Sequence, residues 1–358
     1  MIYPDLKSEK AISMYSIKLV DNIEKNTHIE SLSYQAGKPL TLFKSLYKLK
    51  RYDIIHIQHE YNLLGFYGVP FFLLFCFLIL LNKRVVITMH TVLSIGIKLR
   101  GNKIKVLFRK LLYLTQNFFI KMVSNSVIVH ANFFKDILVT DYKLSPRQIN
   151  VIPQGIIENI PKTEKDVAKR ELNLSGPVYL IIGSFVPDHG ADKIIKQANR
   201  IGGTVLIATN SKSVNDRNNK RIREYLELNK SIVNHRQLYD SVRFDIKEIP
   251  FSLWWKYFSA ADIVLLPYIG GIGSGILSDA IAARKPVVAS NIKYFREFSE
   301  KYGFITIAKK DTDFPKRIKE AMKPDIYKEM VIECDRYIKD YGLSNMGKRY
   351  SRLYTSLC

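Results

Sequence analysis

A glycine-rich stretch in the second half of the sequence holds the residues best suited to bind a charged ligand. Residues 270–280 read GGIGSGILSDA and follow a strand-like run at 263–266. Glycines let a backbone approach a ligand closely, and free N–H groups at a helix start favour an anion such as a diphosphate. The expected anion-binding residues of this stretch are Gly271, Gly273, Ser274 and Gly275. A plain strand-to-helix turn is the alternative, although such a turn seldom needs four glycines so close together.

Asp279 lies about one turn inside the helix that this stretch predicts. From that position its carboxylate could turn back and accept hydrogen bonds from hydroxyl groups of the ligand. On an exposed helix face the same residue would be ordinary.

A second, weaker candidate loop reads GSFVPDHG at 183–190 and follows the apolar run 178–182. Its hydroxyl and imidazole groups, with a lysine just beyond, could help to hold phosphate oxygens. The expected contacts are Gly183, Ser184, His189 and Lys193.

Histidines close two apolar runs in the first half of the chain. The string DIIHIQHEY at 53–61 places His59 and Glu60 at the end of a run, whereas His56 alternates into it and is expected in the core. His90 ends the run VVITMHT at 85–91. An imidazole at a strand tip can hydrogen-bond a hydroxyl or stabilise developing charge. For His59, Glu60 and His90, the sequence leaves a ligand-binding role and a structural role both open.

These residues can form a site only if the fold brings strand ends together. The sequence shows the alternation of strands and helices that such a fold requires. Short β-branched runs alternate with helical stretches, at 54–57, 85–88, 126–129, 178–182, 205–208, 242–246, 263–266 and 287–289. A polar stretch at 162–169 separates the two sets. The prediction is an α/β protein with two Rossmann-like domains that face each other across a cleft, residues 1–158 and 159–335. A C-terminal helix, 336–358, could pack back across both domains.

The charge of the chain restricts its partners. The 358 residues include 55 Lys and Arg against 33 Asp and Glu, a net charge of +22, so the surface should attract polyanions. No signature of a DNA- or RNA-binding module accompanies this charge, so no nucleic-acid partner is expected. Three scattered cysteines indicate neither a disulfide framework nor a zinc site, and no secretory signal is visible. A cytoplasmic protein is therefore expected.

Two further segments suggest contact with a membrane. Residues 63–81 carry no charge over about the length of a bilayer span, but Gly65, Gly68 and Pro70 interrupt their first half. A buried or interfacial helix is favoured there over a span. Basic residues cluster at 98–110, which is compatible with a solvated face or with a lipid-facing patch. Together they predict peripheral attachment to the anionic surface of the cytoplasmic membrane.

Several blocks of the sequence resemble, in the same order, those of the group 1 glycosyltransferases of GT-B fold. They read DIIHIQHEY (53–61), VITMHTV (86–92), VIPQG (151–155), AADIVLLP (260–267) and AIAARKPVVA (280–289). The resemblance implies a retaining enzyme that needs no metal or other cofactor. It also implies that the first domain holds the acceptor and the second a nucleotide sugar as donor. His90 falls on the family's active-site histidine and Asp279 on the acid that grips the ribose, so these two are the expected catalytic residues.

The resemblance departs where the family neutralises the donor phosphates. The usual arginine and lysine fall on Ser184 and His189, and the first glutamate falls on Gly271. The possible substitutes are Lys193, Lys212 and Arg284, the last of which replaces a family glycine. The leading hypothesis is a hexosyltransferase that acts on a lipid-linked or polysaccharide acceptor. The alternative is a catalytically degenerate member that binds or scaffolds an active transferase.

Overall fold

The computed structural model describes residues 1–23, 27–97, 102–215, 219–270 and 273–358. The chain divides into two compact units, of which unit 1 comprises Met1–Gly155 with Leu343–Cys358 and unit 2 comprises Ile156–Gly342. The division therefore falls after residues 155 and 342, whereas the sequence suggested 158 and 335.

Unit 1 is built on a six-stranded sheet in which every pair of neighbours is parallel. Its strands are β1 Ile2–Pro4, β2 Leu32–Tyr34, β3 Ile54–His59, β4 Arg84–Met89, β5 Ser126–Val129 and β6 Ile149–Val151, in the order β2-β1-β3-β4-β5-β6. The helices between them are α1 Ala11–Asn22, α2 Leu40–Phe43, α3 Pro70–Leu81, α4 Lys103–Val123 and α5 Asn132–Thr140. The central strands read as unbroken apolar runs because helices cover both faces of a parallel sheet.

Unit 2 repeats this construction with a second six-stranded parallel sheet. Its strands are β7 Val178–Ile182, β8 Thr204–Asn210, β9 Val242–Lys247, β10 Ile263–Leu266, β11 Val287–Ser290 and β12 Ile305–Ala308, in the order β12-β11-β10-β7-β8-β9. The helices are α6 Lys165–Glu171, α7 Ala191–Ile195, α8 Ala198–Ile201, α9 Ser211–Asn215, α10 Lys220–His235, α11 Phe251–Ala260, α12 Gly275–Ala282, α13 Lys293–Ser299, α14 Phe314–Ala321 and α15 Pro324–Tyr341. The α/β prediction with two Rossmann-like domains is confirmed.

The C-terminal segment is two helices that pack in different units, and this corrects the expected single helix at 336–358. Helix α15 ends at Tyr341 and packs on α12 and α14 in unit 2, whereas α16, Leu343–Leu357, packs on α1 in unit 1. Gly347 permits this last contact, because a Cβ there would lie 1.9 Å from the carbonyl oxygen of Asn22. Tyr354 of α16 hydrogen-bonds the buried His56 at 2.5 Å, so His56 is a core residue as expected.

The uncharged stretch 63–81 forms a 3₁₀ turn and the 12-residue helix α3, not one long helix. One side of α3 is buried in unit 1 through Phe71, Leu74, Phe75 and Leu78. Every helix within the described residues is too short or too polar to span a bilayer.

Candidate functional site

The two candidate loops of unit 2 leave the sheet at the point where its strand order reverses. The order β12-β11-β10-β7-β8-β9 is that of a Rossmann sheet, and β7 and β10 lie on either side of the reversal. The loop 183–190 follows β7, and the segment before α12 follows β10. Ligands of open parallel sheets bind at the carboxyl ends of the strands at this reversal. The structure thus brings the two sequence-predicted loops together where a ligand is expected.

Contacts within unit 2 hold the two loops against each other. The ring of His189 stacks on that of Tyr268, with centroids 4.4 Å apart and planes within 8°. The backbone N–H of Ile269 donates to the carbonyl oxygen of Asp188 at 2.9 Å. Gly190 has φ +67°, and a Cβ there would lie 2.1 Å from the carbonyl oxygen of Pro267. Only a glycine therefore fits this crossing of the two loops.

We expect Gly190→Ala to destabilise unit 2 by about 2–4 kcal/mol, because it adds a backbone clash to the cost of a left-handed alanine. Gly176→Ala is the matched control, since Gly176 has φ +62° but no described residue lies within 4 Å of an added Cβ. The control should cost only about 1 kcal/mol. Chemical denaturation of both variants measures the difference, and equal losses would mean that the contact with Pro267 contributes nothing.

The hydroxyl of Ser274 caps helix α12 and is buried, so it is not the phosphate contact that the sequence predicted. Its Oγ accepts the N–H of Leu277 at 3.2 Å and lies 3.2 Å from the hydroxyl of Tyr268. The next residue, Gly275, is exposed at the first turn of the helix, and no described residue lies within 4 Å of an added Cβ. Within the described part of unit 2, the helix start is therefore open to an anion through its backbone.

The two loops contain three further glycines that were predicted to contact the ligand: Gly183, Gly271 and Gly273. Gly273 precedes the cap and is partly buried, while Gly271 lies outside the described residues. Gly183 has φ +109°, and a Cβ there would approach Ile276 of α12 to 3.2 Å. Gly183 therefore lets the loop after β7 pass close to the first turn of α12.

Asp279 lies one turn inside α12, as expected, and its carboxylate is held in place by a neighbouring helix. Its Oδ2 accepts the indole N–H of Trp254 at 3.1 Å. Burial raises the pKa of Asp279 from 3.8 to about 7, although the Trp254 N–H opposes that rise. A carboxyl with this pKa changes its charge near neutral pH, which makes it sensitive to any ligand that donates hydrogen bonds to it.

The basic residues proposed as substitutes at this site are each paired with a carboxylate. Lys193 Nζ lies 2.9 Å from Asp311 Oδ1, and Arg284 Nε lies 2.6 Å from Asp335 Oδ1. Lys212 pairs with Glu248. A ligand phosphate would have to compete with these partly exposed partners, and the roles of Lys193, Lys212 and Arg284 in neutralising phosphate stay predictions.

Two departures from the family pattern have visible local consequences. Arg284 stands at a family glycine and has φ +55°, so the left-handed turn is kept at the cost of some strain. Ser184 is exposed, and its carbonyl oxygen accepts the Nδ1–H of His189 at 2.7 Å. Burial lowers the pKa of His189. Its neutral ring keeps the proton on Nδ1, and Nε2 presents a lone pair where the family has a lysine.

In unit 1, His90 follows β4 and is fixed in one tautomer by Gln58. The two side chains meet at 2.8 Å between His90 Nε2 and Gln58 Oε1. Because an amide oxygen only accepts, Nε2 carries the proton and Nδ1 is the acceptor. Burial, followed by the neighbouring His130, lowers the pKa of His90 well below its usual value. His90 is therefore a neutral hydrogen-bond acceptor, suited to a hydroxyl group of a ligand.

His130 directly follows β5, a position that favours a ligand-binding role as much as that of His90, yet it was not predicted. Its ring centroid lies 5.2 Å from that of His90, and Tyr15 contacts both rings edge-on. Its Nδ1 bonds the carbonyl oxygen of Ile152 at 2.9 Å, so the proton is there. Its Nε2 is buried and has no hydrogen-bond partner among the residues that the structure describes. Two imidazole acceptors thus lie side by side at the strand ends of unit 1.

The structure separates His59 from its neighbour Glu60. The His59 ring is fully buried against Phe71, with centroids 4.6 Å apart, and burial lowers its pKa to about 4. The predicted substrate contact of His59 is therefore wrong, because the ring lies inside the core under α3. Glu60 is only partly buried at the end of β3, and burial raises its pKa against a hydrogen bond from Thr91.

Comparison with known proteins identifies the architecture. Residues 22–159 match the family described as Glycosyltransferase Family 4. Over 96% of this chain and 92% of that chain, the structure is similar to sucrose-phosphate synthase from Thermosynechococcus elongatus, with a TM-score of 0.72 and 17% identity. The chain has the GT-B fold. The sequence resemblance to GT-B glycosyltransferases is confirmed in this respect, while retention of configuration stays a prediction.

Two further solved structures are similar to this chain over most of its length. Anabaena HepE in complex with UDP and glucose matches with a TM-score of 0.73 and 13% identity, over 99% of this chain and 98% of that chain. A UDP-forming trehalose-phosphate synthase from Burkholderia xenovorans matches with a TM-score of 0.66 and 10% identity, over 88% and 76%. No curated protein sequence matches this chain. These similarities support the GT-B fold of the chain.

Proposed function

We propose that this GT-B protein is a glycosyltransferase that moves a hexose from a nucleoside-diphosphate sugar with retention of configuration. The observation that carries the proposal is Asp279, a carboxyl with a pKa of about 7 beside the open start of α12 at the strand reversal of unit 2. In support, residues 22–159 match a glycosyltransferase family, and the similar Anabaena HepE structures contain UDP or UDP-glucose. No metal ion or other cofactor is required.

Each unit has a separate part in this proposal. In unit 2, backbone amides at Gly275 and in the loop at Gly183 would face the diphosphate, and Asp279 would accept the ribose hydroxyls. In unit 1, the acceptor nitrogen Nδ1 of His90 would bind a hydroxyl group of a reacting sugar. The acceptor would be a lipid-linked sugar or a polysaccharide, reached by a cytoplasmic protein attached peripherally to the membrane.

The test combines donor binding with turnover. Purified protein is titrated calorimetrically with a panel of nucleoside diphosphates, then incubated in EDTA with labelled nucleotide sugars and membrane lipids. We expect one nucleotide to bind, and its sugar to be transferred or hydrolysed with the anomeric configuration kept, as read by NMR. Absence of both binding and turnover across the panel would contradict the proposal.

A degenerate partner of an active transferase is the second candidate, and the paired cations favour it. Lys193, Lys212 and Arg284 all contact carboxylates. Losing one stabilising group for a developing charge costs about a hundredfold or more in rate. Tight binding of a nucleoside diphosphate without any transfer or hydrolysis would support this candidate over catalysis.

A further inference from the structure

Charge is distributed unevenly between the two units. Unit 1 contains 24 Lys and Arg against 9 Asp and Glu, so it carries +15 of the total charge of +22. Within it, residues 61–135 contain ten Lys and Arg but no Asp or Glu. A segment of 75 residues without an acid is suited to a polyanionic surface and poorly suited to a partner of mixed charge.

Helix α4, which lies within this acid-free segment, has an apolar side that no described residue of unit 1 covers. Its inner side is buried through Leu112, Ile120 and Val123. Its outer side presents six apolar residues, each 50% to 79% exposed: Ile104, Leu107, Phe108, Leu111, Phe118 and Met122. Spacings of three, four and seven residues place these six on one side of the helix. We call this set the α4 stripe.

Soluble monomers rarely expose a contiguous apolar surface of this length. The stripe runs from the first turn of α4 to the last, about 30 Å at the rise of an α-helix. The neighbouring helix α3, which meets α4 through Phe72 and Phe119, exposes Leu73 and Leu80 as well. Exposed apolar side chains are therefore present on α3 as well as on α4.

A row of lysines borders the α4 stripe. At 100° per residue, Lys103, Lys110 and Lys121 fall within about 20° of one another along the helix, next to Leu107. Their ammonium groups can reach the level of lipid headgroups while the apolar side chains enter the acyl boundary. An apolar stripe bordered by cations is the pattern of a helix that lies in the plane of an anionic bilayer.

We propose that the α4 stripe inserts into the interface of a membrane that contains anionic lipid, with the lysine row on the headgroups. This inference rests on the peripheral attachment in the proposed function, and it assigns that attachment to α4 in place of residues 63–81. Most of residues 63–81 form α3, and one side of α3 is buried in unit 1. The main insertion surface is therefore α4.

The test is flotation of the full-length protein with vesicles of phosphatidylcholine alone or with about 30% phosphatidylglycerol. We expect binding to the anionic vesicles only. Leu107→Gln with Leu111→Gln should reduce the partition coefficient about tenfold or more, since each loses an inserted apolar side chain. Lys103→Gln with Lys110→Gln should reduce it similarly, because each lysine near an anionic surface contributes about a fivefold factor.

The matched control is Leu228→Gln with Ile332→Gln in unit 2, which removes two comparably exposed apolar side chains from α10 and α15. This variant should bind vesicles as the wild type does. The proposal is overturned if the control loses as much vesicle binding as the Leu107→Gln, Leu111→Gln variant (the stripe variant). It is also overturned if the wild type does not bind anionic vesicles. A wild-type dimer in sedimentation that the stripe variant turns into a monomer would also overturn it, because a second copy would then cover the stripe.

Nucleotide binding in the same samples separates this inference from the proposed function. Lost vesicle binding with unchanged nucleotide affinity would show that the stripe variant is folded and that its defect lies at the membrane. Vesicle binding by a wild type that binds no nucleotide would support the α4 assignment and contradict the donor site.

Discussion

Asp279→Asn is expected to weaken the binding of the nucleoside diphosphate by roughly 10- to 100-fold, because an amide replaces a charged acceptor of the ribose hydroxyls. The same change should stabilise the ligand-free protein at pH 8. The folded protein holds the Asp279 proton up to about pH 7, whereas the unfolded chain releases it near 3.8. The free energy of unfolding therefore falls as the pH rises from about 4 to 7. An asparagine side chain does not ionise, so the variant lacks this pH-dependent loss of stability, and its amide oxygen can still accept the Trp254 N–H.

The expected gain at pH 8 is on the order of 1–2 kcal/mol, and at pH 4 the variant and the wild type should be nearly equal. Thermal melts across this range measure the difference in Tm, and calorimetry measures the affinity. Wild-type affinity should also decline as the pH falls through 7, whereas the variant should show only the titration of the ligand itself. Asp240→Asn, at an exposed aspartate of unit 2, is the control and should change neither property. Unchanged affinity in Asp279→Asn would remove Asp279 from the donor site.

The alternation of strands and helices could be predicted from sequence because central parallel strands are short, apolar and buried on both faces. All eight predicted runs became strands, with ends that differ by a few residues at most. The other four strands, β1, β2, β6 and β12, are not among these runs. They have three or four residues each and include polar ones such as Ser33 and Asn150, so no apolar run distinguishes them from loops.

The candidate site could be predicted only as far as a strand-end argument reaches. The ends of β7 and β10 predict the two loops of unit 2, and the end of β5 equally predicts His130. It could not show that Ser274 caps its own helix or that Lys193 pairs with Asp311, which lies 118 positions later in the chain. Such pairings depend on how distant helices pack against the sheet. The burial of His59 could not be predicted for the same reason, because it results from the packing of α3 over the sheet.

His90→Ala is expected to lower kcat by about a hundredfold or more, while the affinity for the nucleoside diphosphate stays unchanged. The reason is the position of His90 in unit 1, where its Nδ1 can accept a hydrogen bond from a reacting sugar hydroxyl. The donor loops belong wholly to unit 2. Steady-state rates with the donor found in the panel, together with calorimetry, separate the two effects. A kcat within about threefold of the wild type would exclude a catalytic role for His90.

Gln58 tests whether the tautomer of His90 matters, because Gln58 is a positioning residue that meets no ligand itself. Gln58→Leu removes the acceptor of the Nε2 proton and should lower kcat by about tenfold, less than the loss of the imidazole. Gln58→Glu should change the pH dependence of activity, which a merely structural defect would not do. A carboxylate beside Nε2 favours the charged imidazolium and raises the pKa of His90, so Nδ1 becomes a donor at lower pH. Activity of this variant should then fall toward acidic pH along a new limb, absent in the wild type, where burial keeps His90 neutral.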